Sequence, residues 1–211
     1  SAVGGLTLNG EFQITYSTGN TYTIESSSAA SSSATGGGSV TAKYQLNVGP
    51  EFAVPLVGWG AGGWSEGTWG NGAVSTDSLR LWSQSNFGED LVFGPRGNSI
   101  YYWDATNGLT TRAVELSALS GASNTPTKQN FILVSDVSRF VFCFGANTLG
   151  TSTQDPMLIR WSDQEDVVNW TPSATNQAGD LRLSQGSEII GALQARQEIL
   201  VFTDSALYAL Q

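Results

Sequence analysis

Three stretches of this chain share one pattern, in which an apolar run, a short polar turn and a second apolar run follow one another. They are residues 89–105 (EDLVFGPRGNSIYYWDA), 131–147 (FILVSDVSRFVFCFGAN) and 187–211 (SEIIGALQARQEILVFTDSALYALQ). Their spacing of roughly 40–55 residues is typical of β-propeller blades, each a sheet of four short strands. Three blades do not close a propeller, which needs at least about four. The pattern therefore predicts an all-β protein with part of a propeller, about three blades, over residues 75–211.

The sequence of residues 1–48 predicts a smaller antiparallel β-meander domain, inserted beside those blades. Apolar and polar residues alternate in three runs, at residues 12–16, 22–24 and 40–46. Strict alternation between turn signals is typical of half-buried strands. The Ser/Ala/Gly tract at residues 26–38 is then a long hairpin loop. Because three such strands bury only a small core, we expect this domain to lean on another domain or subunit.

Residues 49–74 form a Gly-rich connecting arm with a tryptophan repeat inside it. Residues 58–72 read GWGAGGWSEGTWGNG, three five-residue units that place Trp59, Trp64 and Trp69 second and Gly last. A repeat of five residues matches neither the two-residue period of a strand nor the 3.6-residue period of a helix. The three indole rings therefore line up only if the chain turns at each glycine. Large aromatic side chains are favoured as interface anchors. We therefore predict a partner or subunit interface, with packing onto the chain's own domain and a ligand platform as the alternatives.

Charge and composition exclude several classes of function. The 211 residues include 18 acidic and nine basic ones, a net charge of −9, and no two basic residues are adjacent. Duplex affinity comes mainly from Lys and Arg on phosphates, so tight non-specific DNA binding is not expected. An acidic surface does suit a passage that DNA crosses without adhering. No apolar run is long enough to span a membrane, and the single Cys143 is expected to be a small buried hydrophobe.

Residue types that carry catalysis or hold metals are poorly represented. The chain contains no histidine, which removes Ser-His-Asp and Cys-His arrangements and histidine metal sites. The acidic cluster of Asp163, Glu165 and Asp166 lacks the EF-hand pattern, and we expect a solvated loop there. Paired carboxylates could serve glycoside hydrolysis, but nothing selects a pair among acids such as Asp90, Asp104 and Glu115. We expect neither an enzyme nor a bound cofactor or metal.

A longer motif runs from residue 160 to residue 189. It has the form R-[FW]-S-x7-W-x-P followed by A-G-x3-L-x2-G-S-x-I. Together with the alternating runs of residues 1–48 and the tryptophan repeat, this motif resembles the tail-tube or nozzle proteins of short-tailed bacteriophages and the related proteins that seal packaged DNA. The chain carries the motif at Arg160, Trp161, Ser162, Trp170, Pro172, Ala178, Gly179, Gly186, Ser187 and Ile189.

The resemblance implies a structural protein of the virion with no catalytic residue to carry over. It implies a propeller interrupted by inserted β-domains, in a longer chain of which this one is a fragment. Such subunits form a ring, the nozzle or hub, at the distal end of the tail. The ring surrounds the DNA ejection channel, which genomic DNA crosses without specific binding, and contacts other tail proteins such as an adaptor, fibre or spike. Assembly takes place in the cytoplasm of the bacterial host.

Four motif residues also have a simpler account from their own chemistry. Trp161 at the end of a blade buries a large area, and Arg160 beside it can satisfy carbonyl groups or stack on a ring. Trp170 and Pro172 predict a loop that holds one blade against the next. We therefore assign all four to blade stability. The alternative function for the chain is a carbohydrate-binding β-module that uses the tryptophans as sugar platforms; a propeller hydrolase, without a recognisable site, is a third.

Overall fold

The computed structural model describes residues 2–36, 38–43, 45 and 80–211. The chain forms two compact units, Ser1–Asn47 and Val48–Gln211. The described residues contain β-strands and two short 3-10 helices but no α-helix, so the predicted all-β class is confirmed. The tryptophan repeat of residues 58–72 lies outside the described residues.

The described residues of the first unit form two small antiparallel hairpins, β1 with β2 and β3 with β4. The hairpin predicted from the alternation of residues 12–16 and 22–24 is present, and Thr18 N–H closes its turn on the carbonyl oxygen of Thr21 at 2.7 Å. Of the predicted third strand, residues 40–46, the described residues 40–43 and 45 lie outside any strand, and residues 44 and 46 are not among those that the structure describes. None of the side chains described in this unit is buried. The strands are Ala2–Val3 (β1), Leu6–Thr7 (β2), Ile14–Ser17 (β3) and Tyr22–Ile24 (β4).

Residues 80–211, the described part of the second unit, form three antiparallel sheets that follow one another along the chain. Each is a meander, in which strands that are consecutive in sequence are neighbours in the sheet. The first sheet comprises β5 (Trp82–Phe87), β6 (Asp90–Pro95), β7 (Tyr101–Trp103) and β8 (Val114–Glu115). The second comprises β9 (Phe131–Val134), β10 (Val141–Phe144), β11 (Leu158–Trp161) and β12 (Gly179–Arg182). The third comprises β13 (Ile189–Gln194), β14 (Ile199–Thr203) and β15 (Leu207–Leu210).

Among the described residues, the third sheet has three strands where the repeat predicted four. The first two sheets do have four strands each, and their outer strands β8 and β12 lie beyond the stretches in which the apolar pattern was recognised. The two 3-10 helices, Ala105–Asn107 and Leu116–Ala118, flank β8. The strand count of a sheet was therefore only partly predictable from its two apolar runs.

The second sheet is covered on both faces, which explains the unbroken apolar run of β9. Ile132 and Val134 enter the hydrophobic cluster that the second sheet shares with Val92 of the first sheet. Leu133 points to the other side, into the cluster shared with Ile199 of the third sheet. Successive strand residues face opposite sides, so a strand buried on both faces has no polar alternation.

Two serines join the first sheet to the edge of β9. Ser83 Oγ accepts a hydrogen bond from the backbone N–H of Ile132 at 3.1 Å, and Ser85 Oγ accepts one from Val134 at 3.0 Å. A buried backbone donor without a partner costs about 1–3 kcal/mol. The serine hydroxyls therefore take the place of a neighbouring strand and let two separate sheets meet at their first strands.

Candidate functional site

The three tryptophans predicted as an interface, Trp59, Trp64 and Trp69, lie outside the described residues. Their role as subunit or partner anchors remains a prediction. The structure does describe the four residues assigned to blade stability, namely Arg160, Trp161, Trp170 and Pro172.

Arg160 on β11 is a buried cation at the junction of three loops. Its side chain is held in the second sheet opposite Cys143 of β10, and the residue is only 1% exposed. The guanidinium donates to the carbonyl oxygens of Asn124 at 2.5 Å, Asn147 at 3.3 Å and Trp170 at 3.5 Å. Burial lowers the pKa of Arg160, yet a guanidinium stays protonated in proteins. One charged group thus satisfies carbonyls from three separate loops.

Trp170 lies between the first and second sheets. Its ring is 1% exposed and belongs to the cluster that contains Val92 and Ile132, while its indole N–H donates to the Val167 carbonyl oxygen at 2.8 Å. The backbone N–H of Trp170 donates to the carbonyl oxygen of Ser123 at 3.1 Å. Ser123 also forms an isolated parallel β-bridge with Asn169. The segment before Pro172 is therefore held against the loop that leads into β9.

Pro172, by contrast, is exposed. The preceding residue, Thr171, makes polar contacts in this loop. Its Oγ1 accepts a hydrogen bond from Asn124 Nδ2 at 2.9 Å and donates one to Ser123 Oγ at 3.1 Å. Proline restricts the preceding residue to extended conformations. The contribution of Pro172 is therefore to the backbone of residue 171, and no buried contact accompanies it in the described residues.

Trp161 at the end of β11 is partly exposed and packs against its own sheet. Its indole N–H donates to the Gln177 carbonyl oxygen at 2.7 Å, and its ring lies 6.2 Å from that of Phe142 between centroids. A Cβ added to Gly179, the neighbour of Trp161 on β12, would lie 2.4 Å from its Cζ2 atom. The ring therefore occupies the space that any larger residue at position 179 would need.

We expect Gly179→Ala to lower the free energy of unfolding by about 1–3 kcal/mol, because the new methyl group overlaps the Trp161 ring. Gly191→Ala in β13 is the matched control, since no atom lies within 4 Å of a Cβ built there. The control should change stability by no more than about 0.5 kcal/mol. Urea denaturation followed by tryptophan fluorescence measures both, and equal losses would contradict the tight placement of Trp161.

The acidic residues named from the sequence hold loops and turns. Asp163 Oδ1 accepts the backbone N–H of Gln164 at 2.8 Å, and Asp166 Oδ1 accepts that of Val168 at 2.9 Å. Over the described parts of the chain, no group of three or more His, Cys, Asp or Glu residues is arranged to hold a metal ion. Glu165 is exposed, as expected for a solvated loop.

Asp90 and Asp104 are likewise engaged in local structure. Asp90 accepts a short hydrogen bond from the Tyr102 hydroxyl and another from the backbone N–H of Ala105 at 2.9 Å. Burial, followed by this hydrogen bond, raises the pKa of Tyr102. Asp104 caps the helix after β7, and its hydrogen bonds from Thr106 lower its pKa. The lowered pKa of Asp104 is the opposite of what a general acid in glycoside hydrolysis needs.

A feature that the sequence analysis missed is the apolar outer face of the third sheet. Ile190, Leu193, Phe202 and Leu207 are 49%, 59%, 41% and 58% exposed. Cross-strand pairing places Phe202 opposite Leu207 and Leu193 opposite Leu200, so these side chains share one side of the sheet. The signal was present in the sequence, because β13 to β15 are apolar at both alternating positions instead of one. Exposed apolar side chains on one side of a sheet are a candidate interaction surface.

A cleft of about 400 Å³ opens beside the same sheet, between the β9–β10 and β13–β14 turns. Phe140, Phe142 and Leu210 form part of its apolar wall, and Arg196 stands among its polar residues. Gln194 also lines it, and the Oε1 atom of that residue is buried without a hydrogen-bond partner in the described residues.

Comparison with known proteins does not assign the chain to a group: no protein family, no curated protein and no solved structure matches it. The structure offers one further finding, on membranes. Within the ranges that it describes, no helix has the length and apolar character needed to cross a bilayer.

Proposed function

We propose that this chain is part of a virion structural protein of a bacteriophage tail, which forms a subunit ring around the DNA ejection channel. The observation that carries the proposal is the row of three consecutive meander sheets, each packed on the next through a hydrophobic cluster. Sheets that follow one another and pack in this way support an interpretation as propeller blades. The motif of residues 160–189, which resembles phage nozzle proteins, runs from β11 of the second sheet to the first residue of β13 in the third sheet.

The first unit supports the same proposal as an inserted module. Its two hairpins bury none of the side chains described there, and isolated two-stranded hairpins are marginally stable in water. A module of this kind gains stability from a partner surface. Neighbouring subunits of a ring or other tail proteins, such as an adaptor, fibre or spike, would provide one.

The net charge of −9 fits a conduit for DNA. An acidic wall repels the phosphate backbone, so genomic DNA would pass through the channel without being held. The role proposed for the chain is therefore mechanical, in the tail of the virion, and involves no catalysis.

The tryptophan repeat provides the first test of the subunit contact. Replacing Trp59, Trp64 and Trp69 together by alanine is expected to weaken ring assembly at least about tenfold, because aromatic anchors dominate interface energies. The far-UV circular dichroism should stay unchanged. A matched triple replacement by phenylalanine keeps the rings and should assemble nearly as the wild type does. Loss of the fold in the alanine variant would instead show that the tryptophans pack onto their own domain.

Negative-stain imaging with mass photometry of the full-length protein tests the proposed function as a whole. A closed ring with a channel wide enough for duplex DNA is the expected result. A protein that stays monomeric at all concentrations would overturn the ring. Titration of bacterial surface glycans against tryptophan fluorescence then tests the alternative, a carbohydrate-binding module, which requires a saturable change in emission.

A further inference from the structure

The loop between β7 and β8 contains an asparagine–glycine pair, Asn107–Gly108, at the end of the 3-10 helix Ala105–Asn107. Asparagine is a thermally labile residue. When glycine follows it, the backbone nitrogen of the glycine can attack the side-chain amide carbon, because no side chain hinders the approach. The sequence has two other such pairs, at residues 9–10 and 71–72, and the second of these lies outside the described residues. The pair at residues 107–108 lies in a turn that is defined by hydrogen bonds.

Both reacting groups are engaged in that turn. The Gly108 N–H donates to the carbonyl oxygen of Ala105 at 3.1 Å, and Asn107 Nδ2 donates to Asp104 Oδ2 at 2.9 Å. The attack requires the Gly108 nitrogen to lose its proton, and this N–H is released only when its hydrogen bond to Ala105 breaks. Asn107 and Gly108 are exposed, so water reaches both once the turn opens. Opening of the turn is therefore the step that controls the reaction.

Asp104 is the anchor of this turn. Its Oδ1 accepts hydrogen bonds from the Thr106 hydroxyl at 2.6 Å and from the Thr106 backbone N–H at 2.9 Å, while its Oδ2 accepts the Asn107 amide. The bonds from Thr106 lower the pKa of Asp104, so the carboxylate is ionised at neutral pH. Hydrogen bonds to an ionised acceptor are stronger than those between neutral groups. One carboxylate thus holds both the start of the helix and the side chain that would react.

The turn itself requires glycine at position 108. The φ of Gly108 is +71°, in the left-handed region that residues with a side chain adopt only at a cost. The conformation of the turn therefore calls for the one residue type that makes Asn107 reactive.

We propose that Asn107 is a site of spontaneous deamidation, controlled by the opening of the turn between Asp104 and Gly108. The Gly108 nitrogen bonds to Asn107 Cγ and ammonia leaves, which gives a five-membered succinimide. One water molecule then opens this ring to aspartate or isoaspartate. No oxidant, reductant or reactant other than water takes part.

The product cannot rebuild the turn as it was. A carboxylate takes the place of the Nδ2 donor and repels the carboxylate of Asp104. The isoaspartate form also lengthens the main chain by one atom, which displaces the Asn107 carbonyl oxygen from the Thr111 hydroxyl that donates to it at 2.8 Å. The Thr111 carbonyl oxygen in turn accepts the indole N–H of Trp103. Deamidation therefore loosens the β7–β8 loop in one direction only, because the released ammonia is lost.

Peptide mapping by mass spectrometry of the full-length protein, incubated at neutral pH, tests the proposal. Asp104→Ala is expected to raise the deamidation rate at Asn107 at least about tenfold, because several hydrogen bonds to a charged acceptor are lost. Hydrogen exchange at the Gly108 amide should rise by the same factor, because both processes need the same opening. Asp104→Ser can still cap the helix and should give a smaller increase. Thr110→Ala, at an exposed position of the same loop, is the matched control and should leave both rates unchanged.

A synthetic peptide of residues 103–113 supplies the rate without the turn, and the wild-type protein should react at least about tenfold more slowly than this peptide. Equal rates in the protein and the peptide would show that the turn does not control the reaction. An intact Asn107 in Asp104→Ala, with the Gly108 amide exchanging freely, would show that the residue is not reactive. Either result overturns the proposal. Asn107→Asp, the direct product, should exchange the Gly108 amide faster than the wild type, and unchanged protection there would contradict the loosening of the loop.

Discussion

Replacing Arg160 by alanine is expected to lower the free energy of unfolding by about 3–5 kcal/mol, because buried carbonyl groups lose a charged donor and a cavity replaces the side chain. The guanidinium holds Asn124, Asn147 and Trp170, which belong to three different loops around the second sheet. Loosening all three loops should reduce the cooperativity of unfolding as well as its midpoint. Chemical denaturation followed by far-UV circular dichroism measures both quantities.

Two further variants test whether the loss of stability comes from the buried, planar guanidinium group of Arg160. Arg160→Lys keeps the positive charge but has no planar fork, so it should recover only part of the stability. Arg182→Ala on the next strand removes an arginine whose side chain is 61% exposed and paired with Asp155. Surface ion pairs contribute about 0–1 kcal/mol, so this control should be nearly neutral. Comparable losses at positions 160 and 182 would contradict a special role for the buried guanidinium.

Trp170→Ala is expected to cost about 3–5 kcal/mol, the range for removing a fully buried aromatic side chain. The ring fills the seam between the first and second sheets, so its loss leaves a cavity against Val92 and Ile132. The hydrogen bond from the indole to Val167 is lost as well. The near-UV circular dichroism signal should weaken and the midpoint of thermal unfolding should fall, because the two sheets pack less tightly. The strand content should be retained at low temperature.

Trp103→Ala is the matched control for that variant. Trp103 is also a tryptophan whose indole N–H donates to a backbone carbonyl, that of Thr111 at 3.0 Å, but its side chain is only partly buried. We expect a clearly smaller loss of stability there, in proportion to the smaller apolar area removed from water. A larger loss of stability in Trp103→Ala than in Trp170→Ala would contradict the prediction that the packing of Trp170 between the two sheets is important for stability.

Much of the second unit was predictable because its strands carry their own burial pattern. The run FILV at residues 131–134 is apolar at every position, and β9 is covered on both faces. The hairpins in residues 89–105, 131–147 and 187–211 lie where paired apolar runs predicted them. Short strands with mixed composition were harder to find. β12, with the sequence GDLR, has no alternation of its own and forms because it pairs with β11.

The candidate site was less predictable, and the reasons are physical. Arg160 was identified as a donor to carbonyl groups, but its partners lie 10 to 36 residues away in loops, which no local pattern reveals. The run at residues 40–46 satisfies the local rules for a strand, but its described residues 40–43 and 45 pair with no described strand, because pairing depends on a second strand at the right place. Which strands lie next to each other in a sheet is likewise a property of the assembled sheet, which no local pattern reveals.

The double coverage of the second sheet has a consequence for how force and heat act on the molecule. Removing the third sheet exposes one hydrophobic cluster, whereas removing the second exposes both. Stability in such a row is set by nearest-neighbour contacts, as in repeat proteins, so loss of structure begins at the ends and the centre resists longest. In the tail role proposed above, the outer sheets would therefore yield first, and the second sheet would keep its shape while the surrounding assembly rearranges.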